Sequence, residues 1–246
     1  MASSAGPHTK VVEEINDIII FLVEVGLAND QNFAFWSDGP NSTKTVNFAN
    51  MPPFAPMLKA RPYSEMYFEQ RESRAYNVRM LDGALIQMVY EFRHDNLERY
   101  RLAFLPAPDL QSFQNDPDVY NEDALFADVM DPRVVTVPLR FDFDARDGVS
   151  ESLVHPKSHL TLGQYKSCRI AATAPLTPYL FAEFVLRSFY NTALEVVSAD
   201  LPVGSLRMDR CITPEEEGLV HIGVPCSSTR REMVRQARPS KASRRR

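Results

Sequence analysis

Apolar residues recur along this chain with two different periods, and the periods mark out its elements. Val11, Ile15, Ile18, Ile19 and Leu22 keep the spacing of one buried helical face. This predicts an amphipathic helix over Val11–Val25, with Gly26 as its C-cap. A second helix is expected from Thr177, where threonine as N-cap and Pro178 at the first helical position precede a buried face of Phe181, Phe184, Val185 and Phe189. Elsewhere the period falls to two. Ser64–Glu69, Ala75–Met80, Ala84–Arg93 and Glu98–Leu105 read as a meander of strands, with Asp95-Asn96 at one turn. Ser205–Cys211 and Leu219–Val224 read as a closing hairpin. Residues 29–62 and 106–131 carry turn chemistry instead, with one short strand at Thr45–Phe48 and a short helix near Glu122–Val129. The fold class is therefore α+β: a single domain over residues 1–228, mainly an antiparallel sheet of six to eight strands, with two principal helices packed on one face.

The alternation is clearest in VVTVPLRFDFDARDGVSESLVHPKSHLTLGQYKSCRIA, residues 134–171. Val135, Val137, Leu139, Phe141 and Phe143 fall on one side of a strand, so Arg140, Asp142 and Asp144 fall on the other. Asp147-Gly148 ends the strand. Two of the chain's five histidines follow, His155 and His159. Pro156 keeps His155 extended, so His-x-x-x-His is not a helical zinc pair here. From His159 the chain reads as strand again, with His159 and Thr161 sharing a face. If the two strands are neighbours, Arg140, Asp142 and His159 share one polar pocket on the sheet.

Composition narrows the class. At 44% hydrophobic and 24% charged residues the 246-residue chain is ordinary globular material. No run approaches the length and apolarity of a membrane span, and the first residues lack the pattern of a secretory signal. Cys168, Cys211 and Cys226 form no C-x-x-C pair, so the expected setting is a reducing cytoplasm. Residues 229–246 hold seven arginines and one lysine against one glutamate, inside a chain of net charge −5. This tail is expected to be disordered, and the acidic remainder argues against a dedicated duplex-DNA binder.

The runs RLAFLPAPDLQSFQNDPDVY, VPLRFDFD, HPKSHLTLGQYKSCRI and APLTPYLFAEFVLRSFYNTAL resemble the bacterial family called domain of unknown function 2290. The resemblance covers most of Tyr90 to Val224, and HPKSHLTLGQY is its most specific part. It implies a bacterial protein and carries no mechanism, because the family's activity is unassigned.

Chemistry must come from the residues. His155, His159, Arg140 and Asp142 form the candidate catalytic group. Two imidazoles can divide acid and base roles near neutral pH while an arginine stabilises charge on phosphorus. Arg93, Arg101 and Arg169 are the candidate phosphate contacts. Such chemistry needs no metal or other cofactor, and it suits RNA or another phosphate-bearing ligand, as in a toxin or defence effector. Two alternatives compete: a metal site built on both histidines and Asp142, and a purely structural role in which the charges pair on the sheet and the histidines bond to backbone. At the level of the whole protein, the rival to an enzyme is an accessory subunit that binds a protein partner through its sheet and its acidic 109–131 segment. Trp36 is read as a packing anchor. Tyr90, Phe92, Tyr100, Phe141 and Phe143 are read as core before stacking platform.

Overall fold

The computed structural model describes residues 6–51, 61–108, 137–165 and 167–225. In these the helix expected from Val11 runs over Pro7–Glu24 (α1), and its predicted apolar stripe is fully buried. The chain leaves it at Gly26, whose φ of +75° suits glycine. Strands Ala28–Gln31 (β1), Phe35–Asp38 (β2) and Thr43–Asn47 (β3) follow, where turns and one short strand were expected. Next comes a helix, Tyr63–Glu72 (α2), in place of the predicted strand Ser64–Glu69. Its buried residues Met66, Tyr67 and Gln70 have helical spacing, which the aromatic content of the segment concealed.

Val78–Met80 (β4), Leu85–Arg93 (β5), Asn96–Leu105 (β6), Leu139–Asp144 (β7), Ser158–Leu162 (β8) and Arg169–Ala171 (β9) complete the strands. The sheet has nine strands, and their ladders are antiparallel. Its main path is β1-β4-β5-β6-β7-β8-β9, and β3 joins β5 and carries β2 outside it. The β5–β6 hairpin turns at His94-Asp95, one residue before the expected place. Both have positive φ and Arg93 pairs with Asn96, as a two-residue primed turn requires.

The two sides of the sheet differ sharply. On one side Ile86, Met88, Tyr90 and Phe92 of β5, Tyr100, Leu102 and Phe104 of β6, and Leu139, Phe141 and Phe143 of β7 enter the main hydrophobic cluster. That cluster also holds residues of α1, of Pro178–Phe189 (α3) and of Asn191–Val197 (α4). Phe184 of α3 meets Phe141 edge-on, and Phe189 stacks on Phe104 at 4.6 Å. Thr177 accepts a hydrogen bond from the Leu180 backbone N–H, so the predicted N-cap of α3 is formed. The five aromatics of the strands are thus core, as their parity implied. On the opposite side α2 covers a smaller patch, in which Met66 and Tyr67 join Leu85, Ala103 and Leu105.

The segment after α4 departs from expectation. Ser205–Cys211 and Leu219–Val224 form no hairpin; between them lies the short helix Pro214–Glu217 (α5), closed by a capping box of Thr213 and Glu216. Ile222 instead makes a parallel bridge to Ala172 beside β9. Trp36 is 40% exposed on β2, with its ring edge against His8 and Lys44 above it; it anchors no core. Among the described residues no helix is long and apolar enough to cross a membrane. The predicted helix at Glu122–Val129, most of segment 106–131, Cys226 and the basic tail lie outside the described residues.

Candidate functional site

The polar groups of the central strands stand in register on the sheet side opposite the main cluster. Three rows run across the strands. The first is Glu91–Arg99–Asp144, from β5 through β6 to β7. The second is Arg101–Asp142–His159, from β6 through β7 to β8. The third is Arg140–Thr161–Arg169, from β7 through β8 to β9. Directly opposed side chains in such rows lie close enough to interact. The parity argument that placed Arg140, Asp142 and His159 together therefore matches the geometry.

Asp142 is the hub. Arg140 Nε donates to its Oδ2 at 2.5 Å, and Arg101 Nε donates to its Oδ1 at 3.4 Å. These three side chains are 15–18% exposed, so the ion pairs are largely desolvated. At this burial, removing either partner of such an ion pair is destabilising. His159 Nε2 lies 3.9 Å from the same Oδ2, beyond hydrogen-bond reach.

Both histidines are fixed through Nδ1. The acceptor in each case is a carbonyl, so the ring nitrogen must donate: His155 Nδ1–H to Val149 O at 2.7 Å, and His159 Nδ1–H to Pro156 O at 2.8 Å. With Nδ1–H committed in this way, Nε2 is the nitrogen of each ring left to take up a proton. The rings meet edge to face with centroids 5.1 Å apart. His155 is held by a tight turn, bridging Glu151 through two backbone hydrogen bonds around Leu153 at φ +67°. The side chain of His159 is 3% exposed. Burial drives its pKa down from 6.5 to about 4, with Asp142 opposing. It is neutral at pH 7.

Arg169, half-buried on β9, reaches the Val154 carbonyl at 3.4 Å and influences the His159 imidazole electrostatically. Arg93 stands apart, at the far end of β5, where it pairs with Glu98 at the surface. Arg101, grouped with Arg93 as a phosphate contact, is instead bound into the Asp142 network. Thr161 was placed on the His159 face by its parity but given no role. Its Oγ1 is buried without a hydrogen-bond partner among the described residues. No sequence pattern marks an unsatisfied hydroxyl, because satisfaction depends on neighbours from other strands. Among the described residues no three His, Cys, Asp or Glu side chains converge as a metal-ligand set. Among the described residues Cys168 and Cys211 form no disulfide, and burial raises Cys211 to about 11, so its thiol is un-ionised at pH 7.

No curated protein and no solved structure matches this chain. A family model does match it, over residues 27–224, starting well before the Tyr90 at which the resemblance in the sequence began. The match takes in β1 through the Ile222 bridge, and with them all three polar rows. The chain belongs to the family described as an uncharacterized conserved protein, DUF2290.

Proposed function

We propose that this protein acts on a phosphate-bearing ligand, RNA in the first instance, at the polar side of its sheet, by acid–base chemistry that uses no metal. One observation carries the reading: two imidazoles 5.1 Å apart, each with Nδ1–H committed to a backbone carbonyl, beside a row containing Arg140 and Arg169. In this reading the guanidiniums hold the phosphate oxygens and offset the charge that builds on phosphorus. His159 and His155 accept and return the proton through Nε2. Asp142 is a positioning residue, since it orients Arg140 and touches no substrate.

The test is incubation of the full chain with mixed RNA, with and without a chelator, beside His155→Ala, His159→Gln and Arg140→Ala. The expected result is RNA cleavage that survives chelation and falls by at least about 100-fold in either histidine variant. Arg93→Ala, remote from the rows, should keep full activity. Loss of cleavage on chelation would overturn the metal-free route, and absence of any turnover would overturn the enzyme.

A second reading, an interaction subunit, draws on a separate feature. β2 is exposed along its whole length and pairs only with β3 among the described residues, and Phe33, Phe35 and Trp36 are 40–51% exposed. Exposed aromatics on an edge strand suit addition of a partner's strand. A stable co-purifying protein that is lost in Phe35→Glu would favour it.

A further inference from the structure

The row Arg140–Thr161–Arg169 narrows the kind of phosphate group that the site takes. Thr161 is 6% exposed and its buried Oγ1 has no hydrogen-bond partner among the described residues. A hydroxyl left in that state is destabilising. Native structures rarely tolerate it without a ligand or ordered water to satisfy it. Its neighbours on either side in the row are both arginines. Arg140 commits Nε to Asp142, and Arg169 makes one long bond to a carbonyl. A guanidinium has five N–H donors, so each described bond uses one of five.

The row is deepest at its centre, with a half-buried arginine on either side. β9 ends the main path of the sheet, and Arg169 on it is half-buried, whereas Thr161 is buried and Arg140 is 18% exposed beyond it. A group that reaches the buried Thr161 hydroxyl lies between the Arg140 and Arg169 guanidiniums. A phosphate inside a polynucleotide carries chain on both sides and offers two non-bridging oxygens. A terminal phosphate carries one tether and offers three.

We propose that Arg140, Thr161 and Arg169 receive a terminal phosphate, the phosphomonoester end of an RNA or nucleotide, with the Thr161 hydroxyl and the two guanidiniums each donating to one of its oxygens. The inference rests on the phosphate-ligand reading above and specifies it. His159, two residues from Thr161 on the same side of β8, then stands next to the bound phosphate.

The experiment is binding of the full chain to one short oligoribonucleotide carrying a phosphate at its 5′ end, at its 3′ end or at neither, followed by fluorescence anisotropy, with inorganic phosphate as competitor. One phosphorylated form should bind at least about tenfold tighter than the unphosphorylated form. Inorganic phosphate should erase the difference. Thr161→Val and Arg169→Gln should also erase it, while their thermal melts stay within a few degrees of the parent. Equal binding of all three RNAs would overturn the terminal-phosphate inference and leave the phosphate-ligand reading standing. Binding of none of them, nor of inorganic phosphate, would overturn both. A preference that persists in both variants would remove the row from the site.

Discussion

Asp142 and His159 are direct partners across β7 and β8, yet they share no proton: 3.9 Å separates Oδ2 from Nε2, and that oxygen is already held by Arg140. The pair is therefore not the carboxylate–imidazole couple in which an aspartate stabilises a histidine cation. Burial outweighs the attraction of Asp142, and the imidazole stays neutral.

This gives the stability of the protein a defined pH dependence. The folded-state pKa of His159, about 4, lies below its unfolded value of 6.5, so between these values the unfolded chain binds more protons. The stability due to the neutral ring is complete above pH 6.5 and is lost as pH falls towards 4, about 3 kcal/mol in all. Urea titrations at pH 7 and pH 5 should show a smaller drop in His159→Gln than in the parent. Equal drops would mean that the ring is charged in the fold.

His159→Ala should destabilise the protein by about 2–4 kcal/mol at pH 7, through loss of the hydrogen bond to Pro156 and the space left by a buried ring. His155→Ala should be milder, because that ring is half-buried. Chemical denaturation of both variants checks the order, and a reversed order would contradict the burial of His159.

Arg140 and Asp142 should be energetically coupled. A double-mutant cycle with Arg140→Ala and Asp142→Ala is expected to give about 1–3 kcal/mol, well above the value for exposed pairs. The same cycle on Arg187 and Glu183, an i,i+4 pair on α3 whose arginine is 65% exposed, should give no more than about 0.5 kcal/mol. Similar values for the two cycles would show that the Asp142 network is screened like the surface.

Gly83→Ala should lose about 1–3 kcal/mol. Gly83 has φ +86° in the β4–β5 turn, and a Cβ there would stand 3.1 Å from both Ala107 Cβ and Tyr67 Oη. Tyr67 also donates to the Gly83 carbonyl, so a shift of the turn disturbs α2 as well. Thermal melting reads the loss, and an unchanged midpoint would contradict the geometry.

Much of this was legible because one physical signal dominated. α1 and α3 announce themselves by a long apolar stripe, and in α3 by Thr177-Pro178 as well. β7 and β8 announce themselves by strict alternation, which also predicted that Asp142 and His159 face the same side. Where two signals conflicted, reading failed. In Tyr63–Glu72 aromatic residues suggested a strand while burial follows helical spacing. In the last segment Thr213-Pro214 and Glu216 carry the same helix-start chemistry that identified α3, but the helix they begin is one turn long and has no apolar stripe. β1 and β2 are four residues each, too short for a period to show. The burial of His159 and the unsatisfied Thr161 hydroxyl were illegible in principle, since both depend on strands distant in sequence.

Glu14, near the middle of α1, accepts hydrogen bonds through Oε1 from the backbone N–H groups of Ser205 and Leu206, 191 and 192 residues later. For a chain made from its N-terminus, this sets a waiting time. At ribosomal rates of 5–20 residues per second, α1 is exposed for on the order of 10–40 s before its last partners exist. Throughout that interval the apolar stripe of α1 and a carboxylate destined for the interior lack the chain that encloses them. α1 is among the elements finished last, so the nascent chain depends on whatever shields it until residue 206 has left the ribosome.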